Sequence, residues 1–284
     1  MAEQVKRDLH WLATSPALVG ERAIEFPLVR ELQAIRPSDH DLEQAQQARQ
    51  VQHLRLGVYF EDLVELHLRR VDGASNVRRS IPIRENKRTL GELDFLFQNA
   101  EGQQEHWEVA VKFYLYHAEQ DPDSDRCFLG PRTIDRLDRK IYRMRDHQLP
   151  LPQTAPAKEC LGPVGPIKSK ALVRGRLFYP LDMEWRTCRI GTIPAHDHLR
   201  GWWAPISSLD GIPNAEHYVI AQKRDWLSCP PASAAHELYD RDSLRLRLTT
   251  DRRHPVQVIG MDADHRELHR GFVVPDEWPN PTER

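Results

Sequence analysis

The chain has 284 residues, 40% of them hydrophobic and 29% charged, with a formal net charge of -2. That balance describes a globular chain rather than a disordered or collagen-like one, long enough for one large domain or two modest ones. No apolar run approaches the ~20 residues that span a bilayer, and the charged start MAEQVKRDLHWL lacks the apolar stretch of a signal peptide, so the expectation is a cytoplasmic protein with no membrane partner.

Cys127, Cys160, Cys188 and Cys229 are widely spaced and form no CxxC pair, so they read as thiols packed as small apolar groups. Charge is unevenly spread. Residues 69–88 carry seven basic side chains against two acidic ones, and residues 126–145 carry the same balance. Local basic patches of this kind neutralise phosphates even on a near-neutral protein, while their ordinary role is a solvated helix face.

In chain order, residues 3–36 read as helix interrupted at Pro16 and Pro27. After PSDHD, where Ser38 or Asp39 supplies a cap, a helical pattern runs from Asp41 to Arg70 and sets Gly57, Glu61, Val64 and Leu68 on one face. Gly57 is expected to let this helix approach a sheet closely, with Glu61 directed at the sheet. Residues 77–83 form a strand and ENKRT a turn. Residues 90–97 then alternate, with Leu93, Phe95 and Phe97 on one face and Glu92 and Asp94 on the other. Beyond the loop QNAEGQQE, residues 107–116 alternate again, with Trp107, Val109, Val111 and Phe113 opposed to Glu108, Ala110 and Lys112.

Residues 133–147 read as an amphipathic helix with Ile134, Leu137, Ile141 and Met144 as its apolar stripe. The proline-rich LPLPQTAPAKECLGPVGP reads as extended linker, and residues 170–179 as another strand. Farther on, short strands are expected at 200–206, 217–221 and 256–261, one or two short helices within 237–247, and a frayed tail PDEWPNPTER. The organisation is read as a single domain over 1–284: an N-terminal helical segment at 1–40, a core at 41–180 and a C-terminal elaboration at 181–284.

Metal-dependent phosphodiester hydrolysis needs carboxylates held close together around a divalent cation, and a lysine to assist the attacking water or the developing charge. Strand parity gives Asp94, Glu108 and Lys112 one shared face. The structural alternative is an Asp94–Lys112 ion pair.

The order GELDFLF, short loop, WEVAVKF resembles the GExD…(D/E)xK signature of PD-(D/E)XK nucleases and Holliday-junction-resolvase-like proteins. GVYFE, residues 57–61, is similar to the GxxxE-type helix of that superfamily. Through RDLHWLATSP, GELDFLF and WEVAVKFYLYH the chain also looks like a bacterial domain-of-unknown-function family associated with it. The resemblance implies an α/β, restriction-endonuclease-like core of helix, three-stranded antiparallel meander, helix and strand, with N-terminal helices and a C-terminal α+β elaboration. It further implies hydrolysis of DNA with Mg²⁺ or Mn²⁺, with Asp94 as metal-binding aspartate, Lys112 as catalytic lysine and the Val111 backbone carbonyl as a further ligand.

Ala110 occupies the usual acidic position two before the lysine. Glu108 is therefore read as a displaced metal-binding carboxylate, about 6–7 Å back along the strand, with Glu61 or Glu92 in support. By position in that fold, Lys140 and Gln148 border the site, and Arg136, Lys140 and Arg143 are expected to meet backbone phosphates. Ala110 also motivates a second reading, a catalytically inactive nuclease-fold protein serving as a nucleic-acid-binding or adaptor module.

Three other features are read as structural. His265 and His269 in HRELH would share a helix face, but the glutamate does not follow the first histidine as a zinc-protease motif requires. His196 and His198 read as loop polar groups. Trp185, Trp202, Trp203 and Trp226 read as packing anchors before base-stacking platforms.

Overall fold

A computed structural model describes residues 2–50, 55–118, 124–231, 236–250 and 254–279. In chain order its elements are α1 (Ala2–Thr14), α2 (Glu21–Ile24), α3 (Asp39–Gln50), α4 (Leu56–Arg70), β1 (Ser75–Glu85), β2 (Arg88–Gln98), β3 (Gln104–Tyr116), β4 (Phe128–Leu129), α5 (Leu137–Arg143), α6 (Ala155–Leu161), β5 (Ile167–Pro180), β6 (Leu199–Pro205), β7 (His217–Ala221), α7 (Arg241–Thr250), β8 (Val256–Met261) and β9 (Glu267–Val274). The fold is mixed α/β, and its nine described strands belong to one mixed sheet. The chain divides into two compact units. Unit 1 comprises Met1–Lys112, Asp138–Gly175 and Ile193–Asp197; unit 2 comprises Phe113–Leu137, Arg176–Thr192 and His198–Arg284.

In unit 1 the antiparallel meander β1-β2-β3 is the frame, and the first part of β5 continues it beside β3. Asn86 and Lys87 both take positive φ, 47° and 67°, as a two-residue type I′ hairpin turn requires. Ile81, Ile83, Leu93 and Leu96 bury against Leu151 and Ala157, so the proline-rich stretch is no plain linker. Thr154 caps α6 by accepting the Ala157 amide, and Pro156 falls in the first helical turn, where its missing N–H is harmless. Arg79 of β1 docks α4 through Glu61, Asp62 and Glu65 at 3.0, 2.5 and 3.1 Å.

Three further expectations for unit 1 are corrected. Residues 15–38 are mostly not helical, and between Leu18 and Val29 the backbone bonds to β5 instead: Leu18 N donates to Val173 O, Val29 N to Ala171 O, and Ala171 N to Pro27 O, each at 2.9 Å. The helix expected from Asp41 to Arg70 is two helices, with residues 51–54 outside the described residues. Ser38 does cap the first, in a reciprocal box with Asp41. Gly57 is exposed, with open space where a Cβ would stand, so it mediates no close helix–sheet approach. Helices α1, α3 and α4 instead meet around buried Asp8, which accepts from Gln4 Nε2 at 3.0 Å and Tyr59 OH at 2.8 Å and lies 3.4 Å from Arg49 Nε.

Unit 2 holds the end of β3 with β4, and the end of β5 parallel to β6. The order then continues β6-β9-β8-β7, parallel at β6-β9 and antiparallel beyond. Trp202 and Arg270 are fully buried there, the guanidinium satisfied by Glu267, Gln257 and the carbonyls of Asp225 and Trp226. Two corrections fall on this unit. Ile134 is 85% exposed and precedes α5 rather than lining its apolar stripe. His269 sits on β9, buried against Trp202, while His265 lies in the preceding turn at φ 59°, so HRELH is not helical.

Gly175 stands where β5 passes β3. A Cβ there would lie 1.7 Å from the Lys112 carbonyl oxygen, at a φ of 147° that side chains avoid. Gly175→Ala is expected to destabilise the protein by more than about 3 kcal/mol. Thermal denaturation checks this, and a variant that melts as wild type does would contradict it.

Candidate functional site

Backbone pairing of β2 with β3 runs from Gln98↔Gln104 to Phe95↔Trp107. One step farther along that register Asp94 faces Glu108. There the Val109 amide donates to Asp94 Oδ2 at 2.9 Å, so a side-chain carboxylate takes up a strand N–H. Residues 105–111 of β3 are buried without alternation, which marks a strand covered on both faces. Glu108 is thereby held fully out of water.

Burial without partners would be costly for a carboxylate, and Glu108 has them. Gln148 Nε2 donates to Glu108 Oε2 at 2.6 Å, and Lys140 Nζ donates to Gln148 Oε1 at 3.2 Å. His106 Nε2 lies 3.0 Å from Glu108 Oε1, and His106 Nδ1 lies 3.0 Å from Ser169 Oγ on β5. Burial pushes the His106 imidazole down to about 4, so the ring is neutral. The consistent arrangement has Ser169 donating to Nδ1 and Nε2–H donating to Glu108.

The two carboxyls are both raised to about 7, chiefly by burial. At Asp94 the negative charge of Glu108 adds to the rise, and the Val109 amide and Lys140 oppose it. At Glu108, Lys140 and hydrogen bonding with Asp94 oppose the rise, and Glu61 adds to it. The pair therefore holds about one proton between its two members near neutrality. Glu61 is raised too, by burial first and partly through Asp94, with Arg79 opposing. Burial lowers the Lys140 ammonium, and the neighbouring charge of Lys112 lowers it further.

The structure thus brings Asp94, Glu108, Glu61, Lys140 and Gln148 into one electrostatic cluster in unit 1. Lys112 is half-buried on β3 beside it, Val111 is buried in the same strand, and Ala110 is buried in the usual acidic position. Glu92 is exposed. Arg143 is exposed on α5, and Arg136 is half-buried in unit 2, bridged to Leu129. In the first basic segment Arg69, Arg70 and Arg79 are held in ion pairs with acidic side chains. Sequence reading missed His106 and Ser169. The signal for His106 was its parity with Glu108 on an apolar strand; Ser169 carried none, because only the neighbouring β5 reveals it.

The remaining candidates pack. His198 is buried 2.9 Å from the Tyr179 hydroxyl, not a loop polar group. Trp185 and Trp202 are buried, Trp203 packs on Trp278, and Trp226 packs on Phe113 and Phe272. Among the described residues no three His, Cys, Asp or Glu side chains group as a ready metal site, and no helix is long and apolar enough to cross a membrane.

Fold and site define a mixed α/β protein with an acidic pair, buried Glu108 and half-buried Asp94, on adjacent strands of its sheet. The chain belongs to the family described as "Domain of unknown function (DUF1853)", whose model matches residues 7–274. No curated protein and no solved structure matches it.

The acidic pair has a consequence for stability. The folded protein keeps a proton on Asp94 up to about pH 7, whereas the unfolded chain loses it near about pH 4. Stability therefore falls as pH rises across that window and is level above it. Asp94→Asn keeps an acceptor for the Val109 amide and removes the charge, so it is expected to melt several degrees above wild type at about pH 8. At about pH 4 the two should nearly coincide. A variant less stable than wild type at the higher pH would refute the assignment.

Proposed function

We propose that the protein is a metal-dependent nuclease-like protein that hydrolyses phosphodiester bonds in DNA on a restriction-endonuclease-like core. The observation that carries this reading is the opposition of half-buried Asp94 and buried Glu108 on adjacent strands, both raised in pKa and flanked by lysines. The helix–meander–helix–strand order of α4, β1 to β3, α5 and β5 supports it, as does the sequence resemblance around GELDFLF and WEVAVKF.

The donor set fits Mg²⁺ or Mn²⁺. Mg²⁺ binds through one or two carboxylates and takes its other ligands from water and substrate phosphate, so a converging pair suffices. Glu108 is held by His106 and Gln148 and shares hydrogen bonding with Asp94, the position at which the cation would enter. Asp94 and Glu108 would hold the cation, with the Val111 carbonyl as a further ligand and Glu61 in support. When bound, the cation supplies charge stabilisation at the phosphate.

In hydrolysis, the oxygen of a water bonds to phosphorus and the ester P–O bond breaks. The water gives up a proton and the departing oxygen takes one, leaving a phosphomonoester and a hydroxyl. His106 and Gln148 hold Glu108 still through this step, and the lysines face the phosphate. Lys112 is the lysine that the resemblance implies; Lys140 and Arg143, both in unit 1, are offered to backbone phosphates, and the proposed compartment is the cytoplasm.

One observation favours a second reading, a nucleic-acid-binding or adaptor module without catalysis. With Ala110 in place of an acid, the chain Ser169–His106–Glu108–Gln148–Lys140 is complete without a cation. Purified protein with Mn²⁺ is expected to nick or degrade a panel of DNA substrates, and Asp94→Ala and Glu108→Gln are each expected to lower the rate by at least roughly a hundredfold. Cleavage that survives both would sink the assignment. Salt-sensitive DNA binding without cleavage would support the second reading instead.

A further inference from the structure

We propose that Lys140, carried by α5 and aimed by Gln148, is the ammonium that faces the phosphate in this site, in place of Lys112. The inference rests on the nuclease reading above and names a different cation for it.

Distance along β3 is the first reason. In a (D/E)xK arrangement the acid and the lysine are two residues apart, about 6–7 Å of strand. Here the acid is Glu108, and Lys112 lies four residues on, about 13 Å of strand. Moving the carboxylate from 110 to 108 sets the strand lysine two residues farther from the acid, although it stays beside Lys140.

The second reason is what stands beside Glu108 instead. Gln148 receives the Lys140 ammonium at its carbonyl oxygen, 3.2 Å away, and gives its amide N–H to Glu108 Oε2 at 2.6 Å. A cation at one end and an anion at the other fix which way this amide points. Lys140 is thereby tethered to the acid through two hydrogen bonds of a polar chain.

The third reason lies in the helix. Lys140 falls three residues after Leu137 and four before Met144, both fully buried, so it sits on the inward face of α5. Residues Met144–Gln148 continue that helix as a π turn, closed by Leu149 N donating to Met144 O at 2.8 Å. A π step turns the chain less than the ~100° of an α step. Eight purely α-helical steps from Lys140 would carry Gln148 about 80° past its face, and the π segment brings it back. The widened turn is what lets one helix present both groups to Glu108. In the reaction the ammonium binds a non-bridging phosphate oxygen and stabilises the charge that builds there; it neither gains nor loses a proton.

The test uses the full chain as wild type, Lys140→Met, Lys140→Arg and Lys112→Met. All are first shown folded by circular dichroism, then assayed for Mn²⁺-dependent cleavage of labelled duplex and single-stranded DNA, and for Mn²⁺ affinity by calorimetry. Lys140→Met is expected to lower kcat by roughly a hundredfold, more than Lys112→Met does. It should also tighten Mn²⁺ binding several-fold, because a cation beside the acidic pair has gone, and Lys140→Arg should return the affinity towards wild type. If Lys112→Met is the larger loss and Lys140→Met leaves Mn²⁺ affinity unchanged, the inference is overturned and the nuclease reading stands. Wild type that binds Mn²⁺ without cutting any substrate overturns the nuclease reading, and the order of Mn²⁺ affinities then decides whether Lys140 serves the pair. Wild type that neither binds nor cuts overturns both.

Discussion

The constraint on which unit 1 turns is the burial of the Glu108 carboxylate in the middle of a strand covered on both faces. An ionised group so placed costs several kcal/mol unless it is hydrogen-bonded and paired. Its neighbours are arranged to meet that demand. His106 approaches along the same strand, Gln148 comes from the π turn after α5, and Asp94 faces it from β2. Ser169 on β5 fixes the ring of His106, and Lys140 fixes the amide of Gln148. Four separate elements are thus held in register by one acid. Repulsion between the two carboxyls is then managed by a shared proton rather than by distance.

Much of the frame around this acid was legible in the sequence because its causes are local. The alternation of Leu93, Phe95 and Phe97 and the Asn86–Lys87 turn act over a few residues, and so does the Ser38–Asp41 box. Strands β7 and β8 are local in the same sense, short apolar runs between turn residues, and they fall where the pattern put them. What the pattern could not show depends on distant partners. Residues 15–38 are mostly not helical, and between Leu18 and Val29 the backbone bonds to β5, more than a hundred residues away. The proline-rich segment becomes a helix because Leu151 and Ala157 fill a hollow over β1 and β2. Gly57 looked like a packing glycine on periodicity alone, yet it is exposed at the start of α4, and only Val64 and Leu68 farther along its stripe are buried.

The site divides along the same line. Asp94 and Glu108 share a face by strand parity, which a sequence displays, and their meeting needed only the register of one short hairpin. Lys140 was legible as a basic residue on a helix bordering the site, and its inward turn was written in Leu137 and Met144 on either side of it. Its partner at Gln148 was placed only by position, since a π turn has no sequence signal of its own. Ser169 lay beyond reach, because nothing in IKSKALV marks one serine as the contact of a histidine on another strand.

The closed hydrogen-bond chain around Glu108 bears on the choice between a working and a silent site. A network satisfied by protein alone holds its carboxylate rigidly, and rigidity alone does not distinguish a ligand from a structural acid. The two acids differ in how they are held. Glu108 is fixed from both sides, by His106 and by Gln148, whereas Asp94 is held by the Val109 amide and by hydrogen bonding with Glu108 itself. A purely structural pair would gain stability by replacing one acid with its amide, since the raised pKa of each reflects an unfavourable charge. Two carboxyls, where one and an amide would be more stable, fit the proposed site, in which stability would be traded for a bound cation or a transferred proton.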